Sequence, residues 1–318
     1  MTRGAVVLAT VLALIAPAAA SASSKPGVDV LAESNLTFDG VLVNARVDPN
    51  EAETTYFVQI GLTKLYGVNT AAASAGSGAD PRRVSIPVGG LAPATRYHYR
   101  VVAQNKHGIT NSGDRTFKTR NQPLGVTLAA NPATVLPGAG SQLTGQLTGT
   151  NNANRDVVLQ ANQYPFAGFV DVGNRIVTDA QGNFSFSVLN IPFNTQFRVA
   201  LAQRPEVASP VVFVGAAMQT FTDVKTVKRF KHSKRVRFKG AITPAPAQHS
   251  VSVQKFRDGV WTTIAVVGSV SVNRDGSRAT YSKKVRIGRS GKFRVVAEDA
   301  LGKYSAGAGR PISIKAPK

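Results

Sequence analysis

From residue 24 onward, apolar side chains recur at every second position of many short segments. Residues 41–47 and 184–188 show this pattern, whereas no long segment has apolar residues at the i, i+3, i+4 and i+7 spacing of an amphipathic helix. Successive side chains of a strand point to opposite faces, so each segment would bury one face and leave the other in water. Clusters of Gly, Pro, Asn and Asp separate the segments at the intervals of sandwich folds. The sequence therefore predicts an all-β protein.

The first 22 residues have the pattern of a secretory signal peptide. Arg3 supplies the positive charge, residues 5–20 are apolar apart from Thr10, and residues 18–20 or 20–22 supply the small-x-small cleavage site. The alternative is a membrane anchor, but a membrane helix needs about 20 apolar residues and this run is shorter. No second apolar run of that length follows. We therefore expect a secreted, extracellular chain without a membrane span after cleavage, either released or associated with the cell wall.

Charge divides the remaining chain into three blocks. Residues 25–120 contain eleven basic and eight acidic side chains, and residues 121–214 contain four of each. Residues 215–318 contain 22 basic and five acidic side chains, a net charge of +17 out of +21 for the whole chain. A length of 318 residues fits two or three domains of about 100–200 residues each. We predict domains at residues 25–120, 124–214 and 218–316.

The second and third blocks are similar to each other at an offset of about 95 residues. Three patches keep their order and spacing, namely residues 143–145 with 238–240, 157–160 with 251–254, and 196–199 with 292–295. This period is longer than the roughly 20–50 residues of a solenoid repeat. The pattern predicts a duplicated domain.

Residues 91–103 of the first block, Leu-Ala-Pro-Ala-Thr-Arg-Tyr-His-Tyr-Arg-Val-Val-Ala, resemble the E–F corner and F strand of fibronectin type III-like domains. The resemblance covers about 95 residues and implies that Tyr97 hydrogen-bonds the backbone upstream while Leu91 fills the core beneath it. Residues 54–61 resemble the C strand of bacterial members. The Trp common on the B strand of animal modules is absent from residues 41–47, as is any Arg-Gly-Asp tripeptide, so animal ligand sites are not carried over.

The second and third blocks resemble immunoglobulin-like sandwich modules of secreted bacterial proteins. Residues 253–261 are typical of a strand, a tight turn at Asp258-Gly259 and a second strand, because both turn residues tolerate positive φ. Residues 179–184 form a comparable turn before a strand. The expected fold class is thus three tandem immunoglobulin-like and fibronectin type III-like β-sandwiches.

The chain has little that could support catalysis or bind a cofactor. It lacks Cys, which excludes disulfides, thiolate chemistry and cysteine-ligated zinc. The histidines, His98, His107, His232 and His249, lack the i, i+4 spacing of a helical zinc site, and His98 is expected to face outward. Asp48, Glu51 and Glu53 share an acidic turn that is more typical of a solvated loop than of a Ca²⁺ site. We predict a non-enzymatic protein without cofactor or metal.

One feature points to a ligand: basic residues crowd the start of the third block and recur near residue 285. In residues 235–239, Val236 and Phe238 would face the core, and Arg235, Arg237 and Lys239 would align outside at intervals of about 7 Å. A second cluster could extend this surface if its strand lies nearby. The candidate polyanion-binding residues are Lys228, Arg229, Lys231, Lys234, Arg235, Arg237, Lys239, Lys283, Lys284 and Arg286.

Two functions are compatible with this surface. The first is a non-catalytic adhesion protein of the bacterial envelope whose third domain binds an anionic cell-wall polymer, an acidic polysaccharide or extracellular DNA. The alternative is a structural or scaffolding protein that contacts other surface proteins through exposed sheet edges, with the charge serving only solubility. Sequence-specific nucleic-acid recognition is not expected, because only Phe230 interrupts the main basic run as a stacking platform.

Overall fold

A computed structural model describes residues 24–268 and 270–317. The predicted signal peptide at residues 1–22 lies outside these residues. The described residues form strands, turns and loops, and none of them is helical. The prediction of tandem all-β sandwiches is confirmed, since hydrophobic cores lie between sheets in three successive parts of the chain.

The first module places a core between a sheet ordered β1-β2-β6 and a sheet ordered β4-β3-β7-β8, with β5 beside β3 and β9 beside β7. Val43, Val58 and Tyr99 are fully buried between these sheets. The expected corner contact is present, because the Ala92 N–H donates to the Tyr97 hydroxyl over 2.9 Å. The strands are β1 (Gly27–Val30), β2 (Gly40–Asp48), β3 (Thr54–Gly61), β4 (Val68–Asn69), β5 (Ala73–Gly76), β6 (Arg82–Gly89), β7 (Arg96–Asn105), β8 (Gly108–Asn111) and β9 (Arg115–Lys118).

The second module packs β10, β13, β11 and β16 against a sheet ordered β12-β19-β17-β14-β15, in which β18 also pairs with β17. Leu143, Leu147 and Val157 are fully buried in its core. Its strands are β10 (Gly125–Val126), β11 (Ala129–Asn131), β12 (Thr134–Val135), β13 (Ser141–Thr148), β14 (Asp156–Gln163), β15 (Val170–Val177), β16 (Asn183–Val188), β17 (Thr195–Leu201), β18 (Arg204–Ala208) and β19 (Val212–Ala216).

The third module packs a sheet ordered β20-β21-β25-β24 against one ordered β23-β22-β26-β27, with β28 beside β26. Asp258 and Gly259 both have positive φ in the β22–β23 connection, which confirms the predicted hairpin turn. The strands are β20 (Gln219–Phe230), β21 (Ser233–Thr243), β22 (His249–Arg257), β23 (Val260–Val266), β24 (Val270–Val272), β25 (Ala279–Ile287), β26 (Gly291–Asp299), β27 (Gly307–Ala308) and β28 (Ile312–Ile314).

All three modules contain the same side-chain cluster, in which an Arg donates through Nε to a Gln on the neighbouring strand and stacks on an aromatic ring. The Nε–Oε1 distances are 2.7, 2.7 and 2.9 Å, and Cζ lies 4.8, 4.4 and 4.4 Å from the ring centroid. The clusters are Gln59, Arg100 and Tyr66; Gln160, Arg198 and Phe169; and Gln254, Arg294 and Trp261. The first module therefore shares this cluster with the two modules between which the sequence predicts a repeat.

The chain separates into two compact units after Gln122, and residues 123–318 form the second unit. This unit contains both the second and the third hydrophobic core. The boundaries 25–120, 124–214 and 218–316 remain predictions.

Asn194 connects the two modules of the second unit. Its backbone N–H donates to Lys303 O and its Nδ2 donates to Gly302 O, both over 2.9 Å. Its Oδ1 accepts hydrogen bonds from Ala216 N–H and Ser305 Oγ, again at 2.9 Å. Asn194 is buried, so these bonds form out of contact with water.

Candidate functional site

Basic residues form two rows across three neighbouring strands of the third module. Strand β21 pairs with β20 on one side and with β25 on the other, and residues directly opposite each other in antiparallel strands share a face. The rows are Lys225, Arg237 and Lys284, followed by Lys228, Arg235 and Arg286. We call the surface formed by these six residues the outer basic face.

The opposite side of the same strands is the hydrophobic core. Val236 and Phe238 are fully buried and alternate along β21 with Arg235, Arg237 and Lys239. The structure therefore places these three cations outside, as the period of two residues predicts. Lys239 borders the outer basic face and is in register with Asp223. Asp223 is the only acidic residue of strands β20, β21 and β25.

Five of the ten candidate residues belong to this face, Lys239 borders it, and the remaining four lie off it. Lys234 is in register with the buried Ile287 and with Arg229, and Lys283 is in register with the buried Phe238, so all three belong to the core side of the sheet. Lys231 lies in the turn between β20 and β21. These four residues therefore do not join the outer basic face, because residues adjacent along a strand face opposite sides.

The charge of the outer basic face is not balanced by nearby carboxylates. Strands β20, β21 and β25 contain ten Lys and Arg residues and the single acid Asp223. The two ion pairs among the described residues, His98–Asp114 and Arg204–Glu206, both lie outside the third module. Arg237 Nε is buried without a hydrogen-bond partner among these residues. Clustered cations of this kind attract anions.

Phe230 lies at the end of the outer basic face, beneath three of its cations. Lys228 Nζ, Arg235 Cζ and Arg286 Cζ lie 5.4, 5.9 and 5.1 Å from the ring centroid. Arg286 is also held by a 2.9 Å hydrogen bond from Nε to Ser233 Oγ. The ring is therefore occupied by cation–π contacts rather than open for a stacked base.

The first module contains a separate polar cluster around Asp114. His98 Nδ1 lies 2.9 Å from Asp114 Oδ2, and the Tyr66 hydroxyl donates to Oδ1 over 3.1 Å. The hydrogen bond to His98 is the main cause that lowers the pKa of Asp114. His98 is half-buried rather than freely exposed, and among the described residues its ring bonds only to Asp114. A catalytic triad requires a nucleophile bonded to the histidine ring, and none of the described residues supplies one to His98.

Within residues 24–268 and 270–317, no helix combines the length and hydrophobicity that crossing a bilayer requires. The described His, Asp and Glu side chains do not converge in groups of three that could hold a metal ion. Asp48, Glu51 and Glu53 do not form such a group.

Comparisons with known proteins contribute little beyond this geometry. No family model and no curated protein matches the sequence. A solved structure of the chicken CNTN1 FN1–FN3 domains is similar to 93% of this chain and 99% of its own length, at 12% sequence identity and a TM-score of 0.30. The fold assignment rests on the strand topology described above.

Proposed function

We propose that the protein is a non-catalytic, secreted adhesion protein of the bacterial cell envelope whose third module binds polyanions. The outer basic face is the observation that supports this function. It presents two rows of three cations on an ordered sheet, with Asp223 as the one acid of those strands. An anionic cell-wall polymer or an acidic polysaccharide is the proposed ligand class.

The dimensions of the face suit a polymer with repeated charges. Neighbouring strands lie about 4.8 Å apart and successive outward side chains about 7 Å apart, so the six cations cover roughly 10 by 7 Å. Three of them, Arg235, Arg237 and Arg286, can donate two parallel hydrogen bonds to a phosphate, sulfate or carboxylate group. Binding would release counterions from the polymer and would therefore weaken as salt rises.

A scaffolding function is the second candidate, and it is favoured by exposed apolar residues on edge strands. Strand β15 carries the exposed Val170 and Val177, and β23 carries the exposed Val260 and Val266. An edge strand can pair with an extended segment of another protein. In this case the basic face would contribute only solubility.

Charge reversal in the full chain tests the polyanion function. The triple variant Arg235→Glu, Arg237→Glu and Lys284→Glu reverses the centre of the outer basic face. We expect its affinity for isolated cell-wall material to fall at least about tenfold at low salt, because each lost contact removes counterion release. Binding of the unchanged protein should decrease linearly in a plot of log affinity against log salt concentration.

A matched variant controls for net charge. Arg274→Glu, Lys292→Glu and Lys315→Glu change three exposed cations of the same module that lie outside the three strands of the face. This variant should bind nearly as well as the unchanged protein. Equal loss in both triple variants, or binding that does not depend on salt, would contradict the polyanion function and favour the scaffolding function.

A further inference from the structure

A second basic site lies at one end of the third module, between its two sheets. A cavity of about 420 Å³ opens there and is bordered by both sheets and by the β25–β26 turn. Its apolar wall includes Ile264, Val285 and Phe293, and its basic side chains include Lys255, Arg257 and Arg289. No Asp or Glu is among the residues that line it. We call it the Lys255 cavity.

Lys255 occupies a position that the alternation of β22 assigns to the core. Val251 and Val253 precede it on the same face and are fully buried, and Lys255 itself is only 7% exposed. Its Nζ donates to Arg289 O over 3.1 Å and lies 5.4 Å from the centroid of the Phe293 ring. These contacts use one of three N–H groups and provide no negative charge.

Burial of a lysine in this setting is unfavourable for its charged form. Desolvation lowers the pKa of Lys255, and the neighbouring charges of Arg257 and Arg289 lower it further. An anion in the cavity would compensate both effects, because its negative charge attracts the ammonium group and its oxygens replace the lost water as hydrogen-bond acceptors.

The other two modules show that the fold does not require this lysine. Ile60 and Ala161 occupy the equivalent position, since they are in register with Tyr99 and Phe197 as Lys255 is with Phe293. Two residues further along the chain, the position of Arg257 in the third module is occupied by Leu62 in the first and by Gln163 in the second. The side-chain cluster shared by all three modules supports this equivalence.

Equivalent cavities occur at the same end of the other modules. Ile60 and Leu62 line a cavity of about 560 Å³ in the first, and Ala161 and Gln163 line one of about 430 Å³ in the second. The sandwich thus forms a cavity at this end whether or not it contains charge. The basic lining is found in the third module alone, so packing of the sandwich does not require it.

We propose that the Lys255 cavity binds a compact oxyanion, the phosphate or sulfate group of an ester. The free N–H groups of Lys255 and the guanidinium groups of Arg257 and Arg289 supply the donors, and the apolar wall accommodates the organic part. This inference is independent of the proposed function. Arg286 borders both sites, but its guanidinium is held on the outer basic face by Ser233.

Titration of the full chain with inorganic phosphate tests the site. Calorimetry and thermal unfolding at constant ionic strength, with chloride as the reference anion, should show saturable binding and a raised Tm. Lys255→Ile introduces the residue of the first module and should fold, yet lose at least about tenfold in phosphate affinity because the buried donor is removed.

Two further variants separate the cavity from general charge effects. A Cβ on Gly291 would lie 2.8 Å from Lys255 Cε, so Gly291→Ala should displace the lysine and weaken phosphate binding without changing net charge. Arg274→Ala removes one charge beyond the opposite end of β25 and should leave phosphate binding unchanged. Equal phosphate binding by the unchanged protein and by Lys255→Ile, or acetate binding as tight as phosphate binding, would overturn the proposal.

The bound anion could belong to a small ester or to a polymer, and comparing the binding of inorganic phosphate with that of long-chain polyphosphate distinguishes these two sources. If Lys255→Ile weakens only the binding of inorganic phosphate, the site takes a small ester. If it weakens the binding of polyphosphate as well, the site takes a group of the polymer. The triple variant of the outer basic face should retain inorganic phosphate binding, so failure of one site does not imply failure of the other.

Discussion

Glycines at equivalent positions of β13 and β21 explain one of the patches shared by the second and third modules. A Cβ on Gly145 would lie 2.1 Å from Thr127 O, and a Cβ on Gly240 would lie 1.8 Å from Phe221 O. Neither glycine has positive φ, so the requirement is close approach and not backbone conformation. The patch therefore reflects packing rather than a ligand site.

Substitution of Gly240 tests this interpretation. Gly240→Ala should lower the free energy of unfolding by about 1–3 kcal/mol, because the added methyl group overlaps the β20 backbone. Urea unfolding measures the change. Gly268→Ala is the control, since its Cβ would lie beyond 4 Å from the described residues other than its chain neighbours and should alter stability little. A loss as large at Gly268 as at Gly240 would contradict the packing explanation.

The buried lysine makes stability depend on pH. Since the pKa of Lys255 in the folded protein is lowered from 10.5, the unfolded chain binds more protons between the folded pKa and 10.5, and stability rises with pH in this window. Lys255→Ile should be more stable than the unchanged protein at neutral pH. The difference in free energy of unfolding should shrink as pH rises toward 10.5. Urea unfolding at several pH values checks this, and a difference that grows with pH would disprove the assignment.

At the scale of the element, successive side chains of a strand point to opposite faces of the sheet, so two adjacent cations lie on different faces. Lys284 is in register with Arg237 on the outer basic face, whereas Lys283 is in register with Phe238 on the core side. Both residues were predicted to bind the polyanion from the same run of charges. The pairing of β25 with β21 distinguishes them.

Lys283 and Lys284 allow a test of the outer basic face in which both variants change the net charge by the same amount. Lys284→Glu should weaken binding to cell-wall material several-fold at low salt and reduce the slope of log affinity against log salt by about 1–2, because one contact is lost and one repulsion is added. Lys283→Glu should weaken it less. Both are compared by titration of folded protein, as confirmed by circular dichroism. Equal effects would show that only net charge matters.

At the scale of the molecule, Asn194 joins the two modules of the second unit through hydrogen bonds. Besides the Ser305 hydroxyl, its side chain bonds the buried N–H of Ala216 and the carbonyl of Gly302. These groups lie 22 and 108 positions away in the chain, so no local pattern reveals them. A single Asn within a loop is typical of a turn, and its role here follows only from the packing of the modules.

Asn194→Ala should destabilise the unit of residues 123–318 by about 1–3 kcal/mol, because buried polar groups lose their partners. Hydrogen exchange should accelerate at the Ala216 amide and remain unchanged in residues 24–122. Asn190→Ala, at an exposed position of the same module, is the control. Unchanged exchange at Ala216 would show that the contact does not stabilise the unit.

The sequence by itself determined the fold class and the side of β21 on which Arg235 and Arg237 lie, because alternation along a strand is a local property of an extended backbone. It also identified the repeat of the second and third modules. Only the tertiary structure decided which strands are neighbours, and thereby that Arg286 and Lys284 join this surface while Lys283 does not. It also decided that Lys255, which follows buried valines at every second position of β22, borders a cavity. Strand pairing and cavities arise from residues far apart in the chain, and the periodicity of a single segment carries no information about them.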